Sequence, residues 1–222
     1  VQSVCDLLIL AAFPPELAPL RATLGDALRR SFGGLEVAAK AVGIGLPTSA
    51  AGTATCLVAL KPRAVVLVGT CGVYAGGASL DVGGVAIGRR VALGDLAVAR
   101  GEGAYPEPMS TEATCDRAMG EGLLAQGGVR VDIATTLAVT TNDTTAATLA
   151  AGTRCEAEHL EAYGVAAACA AQGVPFVAAL GVANVVGGRA RDEWKRNHRA
   201  ASEAAIGVLV KWMSAGAAGV PR

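Results

Sequence analysis

Large aromatic side chains are scarce in this chain: three Phe, three Tyr and two Trp make up 4% of the residues. A core assembled around rings is thereby excluded, and Ala, Val and Leu must fill the interior in closely packed layers. Histidine is scarcer still, with only His159 and His198. The six cysteines (Cys5, Cys56, Cys71, Cys115, Cys155 and Cys169) contain no CxxC pair, so neither a zinc site nor any other metal centre is expected. Scattered among small apolar neighbours, they read as buried free thiols in a reducing compartment. No sign of charge prevails. Nineteen Lys and Arg balance nineteen Asp and Glu, which leaves no field to attract nucleic acid or an anionic membrane. A long hydrophobic run is also missing: Leu7–Phe13 is too short to span a bilayer and has no basic leader. The expectation is a soluble cytoplasmic protein whose partner is a small neutral or modestly charged molecule.

What is present is apolar and glycine-rich: 52% hydrophobic residues and 29 glycines in 222 positions, enough for one sizeable α/β domain. Strands are expected at Val4–Ala12, Leu35–Val42, Ala64–Val68, Val82–Leu93, Asp95–Ala99, Val129–Thr141 and Val174–Val182. Helices are expected at Glu16–Arg30 (apolar stripe Leu17, Leu20, Leu24, Leu28), Pro47–Leu60, Thr111–Gln126, Ala162–Gln172 and Asp192–Met213. Gly101–Ser110, broken by Pro106 and Pro108, reads as an irregular loop. Strands alternating with helices argue for a single α/β domain, residues 1–222, with both sheet faces covered.

The stretch Arg63–Tyr74 is the most telling. The buried run Val65–Val68 is expected to stop at Gly69-Thr70-Cys71-Gly72, where glycines let backbone amides approach a ligand closely. Other strand ends add Glu16, the polar run Thr140–Thr145 and Asn184, and the cluster Glu156–Glu161 precedes an Ala-rich helix. Singly, each has a plain structural reading. Glu16 and Glu161 suit the first turn of a helix, His159 suits a hydrogen-bonded structural histidine, and Asn184 suits a turn.

Taken in order, these residues resemble the nucleoside phosphorylase and nucleosidase superfamily. The resemblance runs through Ile9–Glu16, Val42-Gly43-Ile44-Gly45, Gly69-Thr70-Cys71-Gly72, His159-Leu160-Glu161 at the position of a Glu-Met-Glu sugar motif, and Val174–Asn184. It implies a three-layer phosphorylase/hydrolase-like fold, with a central mixed, partly barrel-like sheet flanked by helices. It also implies cleavage of an N-glycosidic bond, no cofactor and a homo-oligomer. Within the superfamily, Asn184–Trp194 is similar to a stretch of the futalosine hydrolases, which points to futalosine and its hypoxanthine base. A methylthioadenosine/S-adenosylhomocysteine nucleosidase, a purine nucleoside phosphorylase and a nucleoside-binding protein with little turnover are the alternatives.

By the same resemblance Glu16 would accept a proton from water, Glu161 would hold the ribose hydroxyls and Asn184 would meet the base. Gly69, Thr70, Cys71, Gly72, Thr141, Asn142, His159 and Leu160 would line the substrate, with Leu160 at the sugar-facing position usually held by Met. Many phosphorylases of the superfamily carry an Arg two residues before the glycine segment. Leu67 stands there, and no Arg lies between Phe13 and Glu16, so water is favoured over phosphate. Asn184 replaces the Asp of adenine nucleosidases. A carboxamide offers a donor and an acceptor to a 6-oxopurine but no acid. His159, Leu180 and Ala183 are further departures, standing where relatives carry an acid or amide, Arg and Ser.

Overall fold

The computed structural model describes residues 5–76 and 80–221; Val4, the expected start of the first strand, lies outside them. In chain order come β1 (Leu7–Ala11), a 3-10 helix (Pro14–Leu20), α1 (Arg21–Leu24), β2 (Arg29–Phe32) and β3 (Leu35–Ala41). Next are α2 (Leu46–Leu60), β4 (Ala64–Val73), β5 (Val85–Leu93), α3 (Leu96–Ala99), β6 (Glu112–Thr114) and α4 (Arg117–Leu124). The chain ends with β7 (Val129–Thr135), α5 (Asp143–Thr153), β8 (Ala157–His159), α6 (Ala162–Ala171), β9 (Phe176–Val185) and α7 (Ala190–Ser214).

Among the described residues the strands form one mixed sheet in the order β2-β3-β1-β4-β8-β7-β5-β6, and β9 pairs with both β4 and β5. That double pairing closes β4, β8, β7, β5 and β9 into a five-stranded ring, the barrel-like core of the expected fold. β4 is the hub. Its first half lies between β1 and β9, and Gly72 lies between Asn184 of β9 and Glu158 of β8. β1 and the first five residues of β4 are wholly buried, as their unbroken aliphatic runs require.

Scarce rings make small residues the packing currency. Gly181 of β9 lies so close to α7 that a Cβ would overlap the Ala201 carbonyl. Trp212, buried on the same helix, donates from Nε1 to Ala218 O at 3.1 Å, in space left by Gly122. Five of the six free cysteines are buried; Cys56 is half-buried.

Several expectations are corrected. The run at Ala64–Val68 does not stop at Gly69. β4 continues through Gly69-Thr70-Cys71-Gly72 because β9 pairs with it throughout, with a bulge at Cys71/Gly72. The Glu16–Arg30 helix is instead the 3-10 helix, the short α1 and β2. Pro14, Pro15 and Pro19 cannot donate backbone hydrogen bonds, and Gly25 (φ 75°) ends α1. Leu17, Leu20 and Leu24 still face the core.

Asp95–Ala99 is a helical turn rather than a strand, since the Asp95 carboxylate accepts from Val98 N at 3.0 Å. Thr111–Gln126 splits into β6 and α4 at Asp116, whose side chain caps α4 through Met119 N. β7 ends at Thr135, not Thr141, and the unforeseen α5 follows, capped by Asn142. Gly101–Ser110 forms neither α-helix nor strand.

Gly181→Ala is expected to lose about 3 kcal/mol of stability, the upper end of overpacking costs, because backbone rather than a movable side chain fills the space. Urea melts of this variant against Gly207→Ala, whose added Cβ meets open space, would measure it.

Candidate active site

Glu16 enters the site from the first turn of the 3-10 helix, placed by Pro14 and Pro15 after β1. Its Oε2 accepts from Phe13 N at 3.2 Å, so the plain reading as a helix-start acid holds. Oε1 meanwhile reaches β4, accepting from Thr70 N at 3.1 Å and Thr70 Oγ1 at 3.2 Å. Such an approach needs Gly69. A Cβ there would stand 2.9 Å from Glu16 Oε1, and its φ of +145° suits glycine alone. Burial pushes the Glu16 carboxyl up from 4.5 to about 7, against the opposing pull of the Phe13 and Thr70 hydrogen bonds. The Glu161 charge adds to the rise.

Glu161 is delivered by the turn between β8 and α6. It occupies the N-cap of α6 without capping it; Oε1 instead accepts from Gly45 N at 2.8 Å, before α2. Capping falls to His159, whose Nδ1 lies 3.1 Å from both Glu161 N and Ala162 N. Burial lowers the His159 pKa, and two N–H groups aimed at Nδ1 require its lone pair. We therefore assign a neutral ring with its proton on Nε2. The 3.2 Å approach of Nδ1 to Glu161 Oε2 is then a contact rather than an ion pair. The structural reading of His159 is thus the one its geometry favours, and it leaves the Glu161 side chain free of the capping role.

Asn184, near the end of β9, lies against Gly72, where a Cβ would come within 2.8 Å of its Nδ2. Nδ2 donates to Val185 O at 3.1 Å. The first turns of α7 hold both neighbours of Asn184: Asn197 Nδ2 donates to Ala183 O at 2.9 Å, and Glu193 Oε2 accepts from Val185 N at 2.9 Å. Trp194, between them in sequence, donates from Nε1 to Thr70 Oγ1 at 3.1 Å.

The structure thus brings together Glu16, Gly69 and Thr70, then Glu161 with His159, and Gly72 with Asn184. Cys71 contributes backbone only, because its thiol lies in the hydrophobic core, where burial pushes its pKa to about 12. Leu160 is half-buried between His159 and Glu161. Thr141 and Asn142 are exposed, and Asn142 Oδ1 is occupied with Thr145 N at 3.0 Å. Among the described residues no hydrogen bond ties either to Glu16, Glu161 or Asn184. Sequence reasoning missed Glu193, Asn197 and the role of Trp194; polar residues four apart on a helix carry no signal of what they hold. Glu158, which a one-residue register shift would bring into the sugar motif, is instead buried, its Oε2 accepting from Tyr74 Oη at 2.9 Å and Thr140 Oγ1 at 2.6 Å. Among the described residues no group of three His, Cys, Asp or Glu side chains is placed to hold a metal ion. No helix among them is long and apolar enough to cross a membrane.

A family profile described as the phosphorylase superfamily matches residues 6–213, almost the whole chain. The chain belongs to that superfamily. Solved structures share its fold. A 5′-methylthioadenosine/S-adenosylhomocysteine nucleosidase from Colwellia psychrerythraea 34H, in complex with adenine, is 19% identical with a TM-score of 0.85. The superposition covers 98% of this chain and 97% of that one. The Streptococcus pneumoniae nucleosidase with 8-aminoadenine is 21% identical, TM-score 0.84, covering 95% of this chain and 99% of that. A futalosine hydrolase mutant from Helicobacter pylori strain 26695 is 16% identical, TM-score 0.82, covering 94% and 98%. No curated protein sequence matches the chain.

The raised Glu16 pKa fixes the sign of a stability effect. The folded state holds the proton more tightly than the unfolded chain, so stability falls as pH rises from 4.5 to about 7 and the loss persists above. Glu16→Gln lacks this titration. Its Tm relative to the parent should improve across that window, by up to about 3 kcal/mol of stability, and stay level below pH 4.5. Calorimetry from pH 4 to 8 measures the trend, and a flat difference would contradict the assigned burial cost.

Proposed function

We propose that this protein is a purine N-ribosidase that hydrolyses futalosine to hypoxanthine and dehypoxanthine futalosine. The observation that carries the hydrolytic reading is Glu16: a carboxylate with a pKa near neutrality, held at the Gly69–Thr70 segment beside a second carboxylate. A base is most useful when its pKa lies close to the working pH. Two bonds from Thr70 hold Oε1, and Phe13 N takes one site of Oε2, leaving Oε2 able to accept a proton from water. Glu161 accepts from ribose hydroxyls and favours positive charge developing at the anomeric carbon. Leu160 packs against the sugar, and Thr70 lies beside ribose and water.

The positions of Leu67, Arg63 and Arg89 support water rather than phosphate as the nucleophile. Leu67 is fully buried in the core. Arg63 pairs with Asp6 at the start of β4, about 23 Å along the strand from Thr70. Arg89 is held by Asp132 through two bonds of 2.8 Å.

The choice of base rests on Asn184. Its carboxamide offers N–H and C=O to N7 or O6 of a 6-oxopurine but cannot protonate a departing adenine. The methylthioadenosine/S-adenosylhomocysteine reading is the second one, favoured by the adenine and 8-aminoadenine complexes of relatives with this fold.

Base release from futalosine, inosine, methylthioadenosine and S-adenosylhomocysteine, with and without phosphate, tests the proposal. Phosphate-independent hypoxanthine release, fastest from futalosine, is expected. Adenine release would move the protein to the second reading, and strict phosphate dependence would overturn the role given to water. Asn184→Asp should raise the rate on adenine nucleosides relative to inosine by about a hundredfold, the lower end of the range for a positioned acid. An unchanged ratio would remove Asn184 from base selection.

A further inference from the structure

We propose that Trp194 is a positioning residue for Glu16, acting through the hydroxyl of Thr70. The inference rests on the nucleosidase reading of Glu16 but concerns a side chain to which that reading gives no part. Hydrogen-bond direction decides it. An indole N–H only donates, so at 3.1 Å from Trp194 Nε1 the Thr70 oxygen must accept. Its single proton is then aimed at its other partner, Glu16 Oε1, 3.2 Å away. The chain runs one way: Trp194 Nε1–H to Thr70 Oγ1–H to Glu16 Oε1.

Polarity and place both follow. An indole donating into a hydroxyl makes that hydroxyl a better donor in turn. A donor on the carboxylate favours its charged form, opposing the burial that raises its pKa. By occupying Oε1 with Thr70 N and Oγ1, the arrangement also leaves proton acceptance to Oε2. Trp194 is itself fixed. Its ring stacks on His198 with centroids 4.4 Å apart and planes 17° from parallel, and Trp194 O lies 3.0 Å from His198 Nδ1. With 36% of its surface exposed, it stands at the edge of the site rather than in the core.

Other groups around Glu16 do not supply this link. β4 presents the Gly69–Thr70 backbone and the Thr70 hydroxyl, and the start of the 3-10 helix presents Phe13 N. The turn before α6 presents the Glu161 charge, with neutral His159 behind it. α7 presents Trp194, backed by the titratable ring of His198. β1 carries no titratable side chain, and Arg21 of α1 pairs with Asp26 at 3.1 Å.

Carbon-detected NMR titration of side-chain carboxylates tests the proposal, with Glu16 assigned by the signal lost in Glu16→Gln. Trp194→Phe keeps an aromatic ring and removes the N–H. The Glu16 midpoint should rise by about 0.5 pH unit, and the acid limb of kcat/KM should move up with it. In a Thr70→Val background the same substitution should have no further effect, because the relay is already cut. In Thr70→Ser, which keeps the hydroxyl, the effect should return. An unmoved midpoint in Trp194→Phe overturns the proposal, as does an equal shift with and without the Thr70 hydroxyl. If the titrations behave as expected while no nucleoside releases its base, the relay stands and the nucleosidase reading falls.

Discussion

A carboxylate pressed against bare backbone is the constraint on which this molecule depends. Glu16 is half-hidden from water and touches β4 where that strand has no side chain to push it away. Every large feature of the fold serves that meeting. β1 and β4 run parallel in register, which sets the end of one beside the course of the other. The two prolines after β1 turn the chain back at once. β9 keeps β4 extended beyond the point where its glycines would let it turn. Burial costs the carboxylate its ordinary acidity, and that cost is the property a proton acceptor needs near neutral pH.

A division of labour among polar groups keeps the second carboxylate useful. An acid at a helix start is usually consumed by the exposed N–H groups of the first turn. Here a neutral imidazole takes that task at α6, so Glu161 reaches across to Gly45 instead. His159, standing where relatives carry an acid or amide, thus leaves the Glu161 side chain free of the capping role. It also avoids adding a third negative charge beside Glu16 and Glu161.

Much of this was legible in the sequence, for physical reasons that differ by element. Aliphatic runs declared β1, β4 and β9, because a strand buried on both faces has no polar alternative. α7 was legible as a long helix near the end of the chain, and the resemblance drew Glu16, Glu161 and Asn184 from three separate elements. The failures were local contests. At 14–24 a leucine stripe was read as a helix while three prolines withheld its hydrogen bonds. At Asp95 and Asp116 capping side chains were present but were read as parts of a strand and a helix, and at Asn142 the cap was read as part of a polar run. Gly69 and Gly72 were read as the place where the strand stops, though pairing with β9 made them strand. Contacts made by α7, those of Glu193, Trp194 and Asn197, were beyond reach. They depend on which face of a helix lands on which strand, and periodicity alone does not specify that.

The two tryptophans of the chain both lie on α7, eighteen residues and about 27 Å apart. One is sealed in the core and the other stands at the edge of the site. The helix therefore carries its own pair of optical reporters. Emission from the inner indole follows the integrity of the packed interior. Emission from the outer one, open to aqueous quenchers and tied to Thr70, follows what enters beside Glu16. A single unlabelled sample can distinguish occupancy of the crevice from loosening of the core.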